Sequence, residues 1–554
     1  MRKSIWLLIG WVGLSALVAA PCLTAQVIAG PSGHPVHDTP ITRPLNRLIG
    51  EAGNDTGFDM APETTIEVVR RAVDQIDIQM PKGPFKPEWS SIEEGYKVPD
   101  WFIGAKFGLF MHWGLYAVPA YKSEWYEKHV YGNADVAKWH EAHYGPLDKF
   151  GYKDFIGLFT QQHFDGDQWA ELFKKSGAKF VIPTAQHHDN FALWDSKVTP
   201  YNAAQMGPKR DLIGELCAAV RRQGLKFGVS NHGIENFQFI NPPAAVLKKM
   251  QAEKADLFDP AWKDFYHASD RSDAACEKFL VDWYKRNVEL IDKYQPDMLW
   301  FDNGIDQRYL DPLKLLVAAY YYNRAKRWGK EVSISSKKAA FAPSGTNIKT
   351  IGSILDFEGR VPAGIRAGVW QVDSKIGSTW GYTTDMKVGG AGSIIATLVD
   401  VVSKNGTLLL NLSPTADGRI PQQQQETLLE IGDWLQLNGQ AIYNTHNWVQ
   451  YTDSAANAKV RFTVNADSLY VIVLGRSPAG KLVLPALALN KKLKGEIKKV
   501  SMLGGEKALN FMRTGQGLVV DLPLNAPSKY AYVLKIEGLK LPLPDSIRTG
   551  NPRL

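Results

Sequence analysis

Three cysteines in 554 residues are too few for a disulfide framework or a thiolate zinc module. Pro21 stands directly before Cys22, which argues against a lipid-attachment signal. Cys217 lies on the apolar face of a predicted helix, where a buried free thiol is expected in place of a bridge to Cys276. Charge clusters are missing too. The net charge of +7 is spread along the chain, so the basic footprint of a nucleic-acid binder is absent. No internal repeat or low-complexity tract is present, which excludes a repeat array. The one long apolar run, Ile5–Ala20, is short for a membrane span. With Arg2-Lys3 before it, that run reads as a secretory signal over residues 1–25, cleaved after Ala20 or Ala25.

What is present is an ordinary globular composition, 45% hydrophobic and 22% charged, in a chain long enough for two or three domains. Seventeen Trp and 21 Tyr suit a ligand with apolar faces. Residues 26–97 are rich in Pro, Gly and polar residues, with one helical stretch near Thr64–Ile78, and read as an N-terminal extension. From 98 to 443 short apolar runs alternate with helical patterns. The strands are expected at Phe107–Met111, Phe180–Ala185, Lys226–Ser230, Met298–Phe301, Glu331–Ser335, Ile354–Phe357, Gly368–Val372 and Thr407–Leu412. Eight strands with intervening helices indicate an α/β (β/α)₈-like barrel with irregular late repeats. Between the second and third strands, Asp211 caps a helix whose apolar face is Ile213, Leu216, Cys217 and Val220, and Gly224 ends it. Residues 444–541 change character. Runs at Lys459–Val464, Ser468–Leu474, Lys481–Leu487, Lys498–Met502, Leu518–Leu522 and Tyr530–Ile536 predict a C-terminal all-β sandwich, followed by a tail over 542–554. The segment Phe239–His267, with Pro242-Pro243, is expected as an extended loop near the barrel mouth.

Barrels place their chemistry at the C-terminal ends of strands, so polar residues that end apolar runs are the candidates. The first run ends in His112-Trp113-Gly114, with Ser123-Glu124-Trp125-Tyr126 ten residues later. The second ends in Gln186-His187-His188-Asp189, the third in Ser230-Asn231-His232, the fourth in Trp300-Phe301-Asp302-Asn303 and the sixth in Asp356-Phe357-Glu358-Gly359. A buried strand that delivers imidazole, indole and carboxylate to one loop region fits a pyranose, whose hydroxyls take hydrogen bonds and whose C–H face stacks on Trp. Asp302 leaves a buried strand at a fixed position, either as a reactive carboxylate or as the cap of the next helix. Adjacent His187 and His188 should face opposite ways on a strand, and no third ligand stands at a suitable spacing, so no metal site is assigned.

The segment KFGLFMHWGLYAVPAYKSEWY, residues 106–126, resembles the first strand and loop of glycoside hydrolase family 29, the α-L-fucosidases. Gly207–Leu212, Asp302 after Trp300, the DFEGR run at 356–360, the stretch Ser378–Tyr382 and Gly406–Pro414 resemble family segments in the same order, so the likeness covers roughly residues 98–540. The resemblance implies a secreted, retaining exo-α-L-fucosidase acting on fucosylated glycans. It implies no cofactor, no nucleic acid, no membrane once the signal is removed, and a periplasmic or extracellular location. It implies Asp302 as nucleophile and Glu358 as acid/base, with Asp356 as the alternative because it shares a strand face with Glu358. His112, Glu124, His187, His188, His232, Trp300 and Trp380 match positions that line the fucose pocket. The basic residue that the family often supplies after strand five has only Lys337 and Lys338 nearby, and neither is assigned. Two other readings are a catalytically silent glycan-binding protein on the same scaffold and a related α-glycosidase acting on galactose.

Overall fold

Eight short runs become parallel strands of one closed barrel. They are β1 (Phe107–Met111), β2 (Phe180–Gln186), β3 (Lys226–Asn231), β4 (Met298–Phe301), β5 (Ser333–Lys337), β6 (Ile354–Glu358), β7 (Trp370–Lys375) and β8 (Gly406–Leu412). Each pairs with its neighbours in sequence, and β1 pairs with β8 to close the ring. The computed structural model describes residues 62–541 apart from 339, 344–351, 476–479, 490–492, 506 and 524–526. Every described residue belongs to one compact unit. The expected signal segment 1–25, residues 26–61 of the extension and the tail 542–554 lie outside the described residues.

β2, β3, β5, β6 and β7 run beyond their expected ends. The apolar run marks the lower part of each strand, packed under the surrounding helices. In β2, β3 and β5, and at Asp373 of β7, the strand then continues through polar residues that are buried because they line the barrel mouth, whereas Glu358 at the end of β6 is exposed. Ser335, Ser336 and Lys337 of β5 are all buried, as are Gln371 and Asp373 of β7. The expected helix runs from Leu212 to Arg222; Asp211 Oδ1 accepts the Gly214 N–H at 2.9 Å, and Gly224 follows at φ +71°. No described residue between β5 and β6, or between β6 and β7, is helical.

Residues 62–97 are bound to the barrel's outer layer. The helix Pro62–Asp74 contacts the helix Asp273–Tyr294, where Arg71 Nε meets Glu277 at 2.5 Å, and Asn323 holds the Phe85 backbone from both sides. The segment after Phe239 is not an extended loop. It folds into a helix, Ala244–Ala252, and short helical turns as far as Tyr266, anchored by Asp256, which accepts from the Tyr131 hydroxyl at 2.7 Å. Cys217 and Cys276 are both buried and are not bridged to each other, and burial raises Cys217 to about 11. No described helix is long and apolar enough to cross a membrane.

The C-terminal region has two antiparallel sheets. One holds β9 (His446–Asn447), β10 (Val460–Asn465), β11 (Ser468–Leu474), β13 (Lys494–Met502) and β16 (Ala531–Lys540). The other holds β12 (Lys481–Leu484), β14 (Phe511–Arg513) and β15 (Leu518–Asp521). β9 and β14 are too short to leave a period in the sequence. Val460, Phe462 and Val464 alternate inward with Leu469, Val471 and Val473 to form this region's own core. The sandwich rests on the barrel's last helices: Arg461 Nε meets Asp400 at 2.6 Å, and the Trp434 indole donates to the Ala531 carbonyl at 2.9 Å. Gly432, in the helix Gln422–Asn438, lies so close to another helix end that a Cβ would sit 2.0 Å from the Lys175 carbonyl oxygen. Gly432→Ala is expected to cost roughly 1–3 kcal/mol, read as a lower Tm, with activity retained below the transition.

Candidate active site

Four imidazoles, two indoles and a ring of carboxyls converge at the C-terminal end of the barrel. His112 follows β1 directly. Its Nδ1 lies 2.8 Å from Asn411 Oδ1, while Asn411 Nδ2 donates to the Trp380 carbonyl at 2.7 Å. The amide oxygen is therefore the acceptor, which puts the His112 proton on Nδ1 and leaves Nε2 an acceptor. The same network sets Trp380 beside His112, with ring centroids 5.1 Å apart. Glu124 is buried opposite, taking the Gly381 N–H at 3.1 Å, and burial raises its carboxyl above the usual range.

His187 and His188 lie just past the end of β2, where strand alternation no longer applies. Both turn into the site, 4.3 Å apart, with His187 4.9 Å from His232. His188 Nδ1 donates to the His232 carbonyl at 3.1 Å. Burial lowers His112 and His187 well below the ordinary imidazole range and His188 to about 3, so all three are neutral hydrogen-bonding groups at physiological pH. Third ligands that linear spacing did not reveal do exist in space. His112, His187 and His232, and likewise His188, His232 and Asp302, offer donor atoms within 4.8 Å of one another. His232, however, has Nε2 3.0 Å from Ser230 Oγ and Nδ1 3.0 Å from Asp302, and His112 has committed Nδ1. We read these groups as partners for a polyhydroxylated ligand.

Asp302 stands one residue beyond β4. Oδ2 takes His232, and Oδ1 lies 2.8 Å from Lys337 Nζ. Burial alone would raise this carboxyl; the Lys337 ammonium and the His232 bond outweigh it and hold Asp302 well below the usual carboxylate range. Beneath it Trp300 is fully buried, and its indole N–H donates to Asp356 Oδ2 at 2.6 Å. Asp356 also takes the Gln371 amide at 2.5 Å and the Asp373 backbone N–H at 2.9 Å, so both its oxygens are engaged in holding β4, β6 and β7 together. Glu358 is different. It ends β6 with a half-exposed side chain that accepts from Lys337 at 2.8 Å.

Three residues in this ring carry no assignment from the sequence. Lys337 is the last residue of β5 and reaches both Asp302 and Glu358. Asp373 pairs with Glu358 in the β6–β7 register, lies 3.6 Å from Lys337, and has a buried Oδ1 without a partner. Burial, with Asp356, Glu358 and Asp302 nearby, raises Asp373 well above the usual range despite Lys337. Glu235 lies behind the site, its Oε2 3.4 Å from His188 Nδ1, and burial followed by the Asp302 charge raises it strongly. Gly304, at φ +83°, admits it: a Cβ there would come within 2.7 Å of Glu235 Cγ. Asn411 left a legible trace, a lone amide within Leu408–Leu412.

The sequence profile of the α-L-fucosidase family matches residues 73–440, and that of the α-L-fucosidase C-terminal domain matches residues 452–537. The tissue α-L-fucosidase of Bos taurus is 31% identical over 483 residues, which are 82% of this chain and 92% of that protein. The plasma α-L-fucosidase of Homo sapiens is 31% identical over 473 residues, 82% of this chain and 93% of its own. Among solved structures, the α-fucosidase of Thermotoga maritima in complex with fucose superposes with a TM-score of 0.65 at 33% identity, covering 82% of this chain and 100% of that one.

Proposed function

The chain belongs to the α-L-fucosidase family, glycoside hydrolase family 29, and from that premise we propose that it is an exported exo-enzyme that removes terminal α-L-fucosyl residues from glycans with retention. In this reading Asp302 attacks the anomeric carbon while Glu358 protonates the departing oxygen. Glu358 then deprotonates the water that releases fucose from the Asp302 ester. His112, Glu124, His187 and His188 hold the sugar hydroxyls, His232 orients the Asp302 carboxylate from beneath with both ring nitrogens engaged, and Trp300 and Trp380 wall the apolar ring face. The N-terminal Arg2-Lys3 and Ile5–Ala20 support export to the periplasm or the medium.

One observation carries the mechanism. Asp302 and Glu358 each place an oxygen 2.8 Å from the same nitrogen, Lys337 Nζ, so those oxygens are separated by at most twice that distance. Retaining glycosidases keep their carboxyls about 5–5.5 Å apart, whereas inverting ones need about 6.5–9.5 Å to admit water. The test is the first anomer formed. Rapid ¹H NMR of a hydrolysing aryl α-L-fucoside is expected to show α-fucose before mutarotation. Initial β-fucose would rule out the double displacement.

A second reading concerns the acid alone. Asp373 is buried, holds its proton strongly and neighbours Glu358 across the strands, which suits a donor at neutral pH. Glu358 is preferred because it reaches solvent, as a group that must serve an aglycone and then water has to.

A further inference from the structure

We propose that Lys337 is a positioning residue whose ammonium transfers its ionic partnership from Asp302 to Glu358 and back in every catalytic cycle. The proposal rests on the assignment of Asp302 as nucleophile and Glu358 as acid/base. It gives Lys337 a part in the reaction itself, separate from holding a sugar hydroxyl.

The geometry is that of a counter-ion shared by two carboxyls. The Lys337 side chain is 8% exposed, at the end of β5, and its Nζ lies 2.8 Å from Asp302 Oδ1 and 2.8 Å from Glu358 Oε2. Two indoles bound its position, with Nζ 5.2 Å from the Trp300 ring centroid and 6.0 Å from that of Trp380. An ammonium is a point charge with three donors and can favour either carboxylate without moving its stem. A guanidinium fork would commit to one bidentate partner.

Charge accounting shows why such a residue is useful. When substrate binds, Asp302 is anionic and Glu358 carries the proton. As Asp302 bonds to C1 and the C1–aglycone bond breaks, the Glu358 proton goes to the leaving oxygen. Asp302 is then a neutral ester and Glu358 a carboxylate. In the second step Glu358 takes a proton from water, the water oxygen bonds to C1, and the C1–Asp302 bond breaks, restoring both groups. Exactly one of the two carboxyls is charged at each stage. A cation in contact with both is therefore always paired, and the negative charge moves between them without being left alone in a low-dielectric site.

The other charged groups do not offer this. His232 and His188, after β3 and β2, approach Asp302 from the side opposite β5. Glu235 lies behind His188, and burial followed by the Asp302 charge keeps its proton on, so it supplies no counter-ion. On β6 and β7, Asp356 is engaged by Trp300 and Gln371, and Asp373 stands 3.6 Å from Lys337. Lys337 is the cation that forms an ion pair with each of the two proposed reacting carboxyls.

The test compares Lys337→Met and Lys337→Arg with wild type across pH, using an aryl fucoside. Without the cation, Asp302 binds its proton more tightly. The acid limb of kcat/KM should therefore move to higher pH, by roughly 1–3 units. At the pH optimum kcat should fall roughly 100-fold or more with KM changed little, because the lost interaction is with charges that migrate during the step. Lys337→Arg should restore the limb. Should Lys337→Met fail to fold, Lys337→Gln removes the same charge and keeps a donor. An unmoved acid limb with a raised KM alone would overturn the proposal and make Lys337 a sugar-binding residue. Trapping wild type with an activated 2-fluoro fucoside and sequencing the labelled peptide keeps the two readings apart. Label on Asp302 with an unmoved limb refutes only the role of Lys337, whereas label on another residue removes its premise.

Discussion

Asp302→Gly is expected to fold normally and to lose hydrolysis by about 10⁴-fold or more, the scale seen when a covalent nucleophile is deleted. Asp302 lies beyond the last residue of β4 and contributes nothing to the apolar packing beneath. Its removal leaves Lys337 paired with Glu358 and His232 bonded to Ser230, so no buried cation is stranded. Asp302→Asn should lose activity to a comparable degree although it fills the same space, because an amide cannot form the glycosyl ester. Thermal unfolding of both variants near the wild-type Tm, with turnover of an aryl fucoside nearly abolished, is the anticipated pair of results. Turnover near wild type in either folded variant would remove Asp302 as nucleophile.

Glu358→Ala should discriminate between substrates. A phenolate with an electron-withdrawing group leaves without a proton, whereas a sugar alkoxide does not. Natural oligosaccharides are therefore expected to lose roughly 10²–10⁴-fold, the usual contribution of general acid catalysis, and activated aryl fucosides much less in the first step. Azide should accelerate the aryl substrate by attacking the glycosyl-enzyme without a general base, and two inversions make the product α-fucosyl azide. Gln371 sharpens the comparison, since an amide at the head of β7 can donate to Asp356 but cannot cycle a proton. If the two substrate classes suffer equally and no azide adduct forms, the acid must be sought elsewhere. Asp373→Asn is then the next variant to assay, ahead of Asp356, whose oxygens are already engaged.

Much of the barrel was legible because hydrophobic runs report burial under helices. β1 and β4 stand where the apolar residues place them. β5 was read two residues early, at Glu331–Ser335, because Val332 and Ile334 are its apolar members, and the true strand is Ser333–Lys337. That displacement hid Lys337, which the closed barrel turns inward between Asp302 and Glu358. β7 hid Asp373 in the same way. A polar residue buried by a pocket looks, in one dimension, like a polar residue exposed to water. The adjacency of His187 and His188 misled for a related reason, since alternation applies to a strand and they follow its end. Motif resemblance supplied the two carboxyls proposed to react, but which of them share a cation depends on pairings across β4, β5, β6 and β7 that no local pattern encodes.

The bond between His112 and Asn411 joins residues 299 apart in the chain. On a ribosome adding about 5–20 residues per second, roughly 15–60 s separate the appearance of the two partners. Throughout that interval β1 has no β8 beside it, and its open edge and aromatic end can engage other chains. The imidazole acquires its orientation only when the last strand arrives, so ring closure and competence for the reaction are one event. A nascent chain halted before β8 would thus carry Asp302, Lys337 and Glu358 without a completed pocket, and its fate would depend on holding chaperones during synthesis.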